Sequence, residues 1–137
     1  MSEIITDKLT GKTSAGDVTI TSEGGSATMQ LQQGVAKCWH HYNQSGTLAT
    51  VDSFNVSSAT DSGVGITRTS YTNSLANLGY AVSGSHNLPS SNTASWVTGL
   101  DNSADFTTGQ VTCSTFNTAS GRVDATKALM TLHGDLA

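Results

Sequence analysis

An all-β fold is the expectation that the side chains of this chain set, and two observations carry it. Roughly three in ten of its 137 residues are Ser or Thr. Their side chains compete with the helical backbone for hydrogen bonds, and the branched β-carbon of Thr suits a pleated surface. Short apolar/polar alternations also recur along the chain, with turn signals at about ten-residue intervals, the pattern of a sandwich or barrel-like sheet pair. With 12% charged and 6% aromatic residues, the chain cannot rely on a thick apolar core. Its length fits one compact domain, or one domain with a short appendage.

Along residues 1–33 the chain is a string of short β-like pieces punctuated by glycine. "DVTIT" alternates with Val18 and Ile20 on one face, and "ATMQLQ" with Met29 and Leu31. Each piece offers only two large apolar side chains, too few for a free-standing sheet, since isolated hairpins are marginal in water. Packing of this segment against copies of itself in an oligomer accounts for that poverty; a flexible polar leader is the alternative.

Residues 34–137 carry the body. In "GVAKCWHHYNQSG" Val35, Lys37, Trp39 and His41 fall on one face and Ala36, Cys38, His40 and Tyr42 on the other. Both faces are bulky, so the strand is expected to be buried on two sides or to sit at a subunit contact. "SFNVSS" and "GVGITRTSY" flank "ATDSG" and read together as a hairpin turning at Asp61-Ser62-Gly63. "TNSLANLG", over 72–79, has a Thr/Asn start, Leu75 and Leu78 three apart and Gly79 as a stop, which predicts one short helix. "YAVSGS", "ASWVTG", "QVTCSTFNT" and "TKALMTLH" supply further strands, separated by the loops "HNLPSSNT" and "LDNSADFTTG".

Charge and motif content exclude several functions. A net charge of -4 with six Lys+Arg leaves no basic patch to neutralise phosphates, so nucleic acid is not expected as a partner. No run approaches the ~20 apolar residues of a membrane span, and "MSEIITDKLTGK" is too polar for a signal peptide. The chain is expected to be soluble and made in a cytosol. There Cys38 and Cys113 are expected as buried thiols rather than a disulfide. Phosphate-binding glycine loops, zinc-protease and serine-hydrolase signatures are absent. His40 and His41 point to opposite faces of a strand and cannot chelate one ion within a chain. Glu23, Asp52, Asp61, Asp101 and Asp105 are read as solvated turn carboxylates rather than a hydrolytic pair. "DSFNVSSATDSG" lacks the acidic density and terminal Glu of a calcium loop. "NQS" and "NVS" match glycosylation acceptors only by composition. No catalytic residue, cofactor or metal is therefore expected.

The order of segments carries a resemblance. "GKTSAGDVTITSEGGSATMQLQQGVAKCW", then "DSFNVSSATDSGVG", "NLGYAVSGS" and the terminal "LHGDLA" resemble the short fibre or knob proteins of tailed bacteriophages, notably phages of marine bacteria. The resemblance spans 9–137. The family's hairpin tip carries Gly-Thr-Gly where this chain has Gly63-Val64-Gly65, a local change. The resemblance implies an all-β homotrimer with a short intertwined N-terminal stem, over 1–33, and an antiparallel β-sandwich-like head, over 34–137. It implies a virion component, on tail or capsid, synthesised in the bacterial host cytoplasm. Its partners would be other virion proteins, through the N-terminal segment, and a host-surface glycan or protein receptor. Two alternatives are a capsid head fibre or decoration protein with a structural role, and a tailspike-like polysaccharide depolymerase.

The family supplies no list of binding residues. Sugar rings call for aromatic faces together with amide and hydroxyl groups. On that basis Trp96, Tyr71, His86, Asn87, Asn92 and Asn102 are the expected loop contacts. Trp39 is expected in the core or at an interface.

Overall fold

The computed structural model describes residues 3–14, 18–87, 99–100, 106–117 and 121–137. The chain divides into two compact units, Met1–Val35 and Ala36–Ala137.

In the first unit, β1 (Thr19–Thr21) pairs antiparallel with β2 (Thr28–Gln30), setting Ile20 opposite Met29. The turn is closed by the Ser22 and Ala27 backbones and by the Ser22 hydroxyl, which accepts from the Ala27 amide. The second strand is shorter than the "ATMQLQ" alternation suggested. The Leu31 amide donates back to Val18 O at 2.7 Å, and a single helical turn, α1 (Leu31–Gly34), follows. Leu and Gln are good helix formers, so once the pairing strand has run out the local preference decides.

The second unit contains β3 (Cys38–Asn43), β4 (Ala49–Phe54), β5 (Val56–Gly63), β6 (Ile66–Tyr71), β7 (Ala81–Asn87), β8 (Gly99–Leu100), β9 (Gln110–Ser114), β10 (Phe116–Asn117), β11 (Gly121–Arg122) and β12 (Lys127–His133). Two four-stranded sheets run in the orders β4-β3-β12-β7 and β5-β6-β9-β8, and β10 pairs with β11. Every pairing is antiparallel. The all-β class thus holds for the described residues, with α1 as their one helix.

"SFNVSS" is not one strand. Phe54 ends β4 in the first sheet, Val56 starts β5 in the second, and Asn55 turns the corner at φ 59. Asn tolerates this left-handed conformation because its carboxamide can bond locally. Here Nδ2 donates to Lys37 O (2.9 Å) and Asn73 O (3.1 Å), while Oδ1 accepts from the Asn73 amide (2.7 Å). The hairpin that follows turns at Val64-Gly65, with Gly63 opposite Ile66, later than the expected Asp61-Ser62-Gly63. The Asp61 carboxylate instead accepts from the Gly63 amide at 2.9 Å within the strand's irregular end.

The helix expected over 72–79 is not formed. Leu75 donates to Thr108 O and Ala76 to Asp135 O, both at 2.8 Å, while Leu75 bridges Leu136. Asn77 Oδ1 takes the Gly79 amide at 2.7 Å. Long-range partners and a local Asn turn thus replace the helical ladder. Leu75 is buried and Leu78 lies in solvent, so the two leucines do not share a face.

Cys38, Met130 and Leu132 of the first sheet pack with Tyr71, Val111 and Cys113 of the second, joined by Leu75 and Tyr80. Tyr42, Ala125 and Ala128 form a smaller cluster. Polar bonds complete the contact between the buried faces. His40 Nδ1 meets Thr69 Oγ1 at 2.9 Å, and Gln44 Nε2 donates to Thr67 Oγ1 at 3.0 Å. Cys38 and Cys113 are both free and buried.

Candidate functional site

The titratable groups of the interior are held in states that suit packing rather than chemistry. Burial, with neighbouring His41 adding to it, lowers His40 to about 4, so the ring is neutral at ordinary pH. Its two nitrogens are taken by Thr69 and Thr50, each at 2.9 Å, and its ring lies 4.6 Å from that of Tyr42. Gln44 Oε1 accepts from Thr115 Oγ1 and from the Ala125 amide, which satisfies the amide on both ends. Burial pushes the thiols of Cys38 and Cys113 up to about 12, leaving neither as a nucleophile. Lys37 is lowered by desolvation, against the opposing pull of Asp135. Among the described residues no group of three or more His, Cys, Asp or Glu side chains is placed to hold a metal ion.

In the second unit, the outer face of the β4-β3-β12-β7 sheet presents side chains to solvent. Alternation along β3 sends Cys38, His40 and Tyr42 inward and Trp39, His41 and Asn43 outward. Register then lays out rows across the strands. Phe54, Trp39, Thr131 and Ser83 form one row; Asp52, His41, Leu129 and Ser85 form the next. Phe54 is 52% and Leu129 44% exposed, while Trp39 and His41 are half-buried. A bulge between His41 and Tyr42 leaves Val51 without a cross-strand partner, and its side chain is exposed. The face therefore combines an aromatic cross-strand pair, an aliphatic neighbour and a row of donors and acceptors. It can stack on and hydrogen-bond to a ligand, and it presents no activated nucleophile.

Of the expected loop contacts, the three among the described residues do not come together. Tyr71 ends strand β6 and is 7% exposed in the core cluster, where burial, the proximity of Tyr80 and the two thiols push its phenol well above the ordinary value. His86 and Asn87 belong to β7 rather than to a loop. His86 opposes the buried Ala128, and its Nε2 donates to Phe116 O at 3.0 Å, so it faces inward. Asn87 is exposed on the outer face, opposite Lys127. Trp96, Asn92 and Asn102 lie outside the described residues. Trp39, expected in the core or at an interface, lies half-buried on the outer face. The alternation around Trp39 was visible in the sequence; which of its two faces the core would claim was not. Comparison with protein-family models, with curated proteins and with solved structures finds no match to this chain.

Proposed function

We propose that the chain is a bacteriophage virion fibre or knob protein, a homotrimer that contributes to host-surface attachment by binding and without catalysis. Support comes above all from the contrast between its two units. In the first, Ile4, Ile5, Leu9, Ile20, Met29 and Val35 are all substantially exposed, whereas the second has its own buried core. A hairpin of two three-residue strands is marginal in water. Association of three copies along this segment gives those side chains an apolar environment. The segment also serves, in this proposal, as the attachment to other virion proteins. The two facing sheets form the sandwich-like head that projects toward the cell and meets a surface glycan or protein receptor.

Sedimentation of the full chain at micromolar concentration tests the proposal. A trimer is expected, and a monomer overturns it. Antibody labelling of particles then separates a tail appendage from a capsid fibre or decoration protein, the alternative with a structural role.

A further inference from the structure

The outer face of the β4-β3-β12-β7 sheet is neither an apolar interface nor an ordinary wet surface. Toward its β4 edge stands the directly opposed pair Trp39 and Phe54, flanked in the next row by Asp52, His41 and Leu129. Serines continue the rows onto β7, Ser83 opposite Thr131 and Ser85 opposite Leu129. Half-exposed aromatic rings on a sheet thus lie one row from an imidazole, a carboxylate and hydroxyls. A pyranose matches that pattern, with a patch of C–H groups on its ring face and a rim of hydroxyls that both donate and accept.

Size and polarity argue against a second subunit as the occupant. Four strands about 4.8 Å apart and about six residues at ~3.3 Å each give a face of about 400 Å². A stable protein–protein contact needs about 800 Å² from each partner. Asp52 and Lys127 also lie on this side, and charged groups are depleted from the buried centre of such contacts. A polysaccharide needs only a few rings' worth of surface.

We infer that this face is a saccharide platform, on which Trp39 and Phe54 stack against ring faces of a neutral glycan while His41, Asp52 and Ser85 hydrogen-bond to its hydroxyls. The inference rests on the attachment reading above and moves the contact from the loops to the sheet.

The test uses tryptophan emission. The chain has two tryptophans, so Trp96→Phe leaves Trp39 as the sole reporter. Titration with a panel of neutral gluco-, galacto-, manno- and N-acetylglucosamine hexasaccharides should give a saturable shift with at least one member. Phe54→Ala and Asp52→Ala, checked for native circular dichroism, should each weaken that binding at least tenfold. Trp39→Ala, followed by calorimetry, should abolish it; if that variant misfolds, the Phe54 and Asp52 variants decide. Emission that responds to no hexasaccharide overturns the inference, as does binding that survives both Phe54→Ala and Asp52→Ala. A monomeric protein that still binds sugar through Trp39 overturns the fibre proposal alone. A trimer that binds host cells equally well with Phe54→Ala overturns the platform alone.

Discussion

Two residues show how much of this fold depends on single side chains with long-range partners. Asn55 holds a left-handed φ of 59 while its carboxamide ties Lys37 to Asn73, and its own carbonyl accepts from Thr72 at 3.1 Å. Asn55→Ala removes the carboxamide bonds and keeps a Cβ in the left-handed region with nothing left to offset its strain of roughly 1–2 kcal/mol. Asn55→Gly loses the same bonds without that penalty. Both variants should lower the urea midpoint, with Asn55→Ala about 1 kcal/mol less stable than Asn55→Gly. Equal losses would mean that the carboxamide alone fixes the corner. His40 makes a pH prediction. Its folded value of about 4 lies below the ~6.5 of an unfolded imidazole. Between those values the unfolded chain binds a proton that the native chain refuses. Stability from this group is therefore complete above about pH 6.5 and declines as the pH falls toward 4, by on the order of 3 kcal/mol. Urea unfolding at stepped pH should show that decline, and His40→Gln should be flatter over the same window.

At the scale of elements, the β5–β6 hairpin depends on one turn. Gly65 has φ +67, and a Cβ there would meet Val123 N at 2.7 Å and Thr115 O at 2.8 Å. These are backbone atoms that cannot swing aside, and they belong to the segment that pairs through Thr115 N to Gly65 O. Gly65→Ala should therefore cost at least about 3 kcal/mol, combining left-handed strain with overpacking. Gly24→Ala, with nothing within 4 Å, should stay within about 0.5 kcal/mol. Thermal melts of the two variants decide. The hairpin itself was legible in the sequence from the alternation on either side of a Gly-rich stretch. The turn's exact position was not, because Asp61-Ser62-Gly63 and Val64-Gly65 are both competent turn sequences and cross-strand register chooses between them. The break at Asn55 was hidden for a similar reason: an alternating run looks the same whether it stays in one sheet or changes sheets midway. The absent helix over 72–79 shows tertiary hydrogen bonds overriding a short local signal. On the candidate site, the alternation marked Trp39 and His41 as sharing a face, yet the opposite face was equally bulky. Pairing of Cys38 with Leu132 and of His40 with Met130 made that opposite face the inside.

For the whole molecule, the two units imply separate stabilities. The buried clusters are built from residues of Ala36–Ala137 alone, and that unit contains both cysteines, each buried. Because burial drives both thiols to about 12, only a trace of thiolate exists at pH 8, and access to it requires opening of the core. A fragment spanning 36–137 should therefore unfold cooperatively in urea. An aromatic disulfide reagent should label neither cysteine below the transition and both above it. The full chain should show the same protected thiols, while its sedimentation differs from that of the fragment. Loss of self-association on removing residues 1–35, with the thiols still protected, assigns oligomer formation to the first unit and folding to the second. Rapid labelling of the fragment under native conditions would show instead that the head draws part of its stability from the segment that was removed, and that its sheets do not close a core without it.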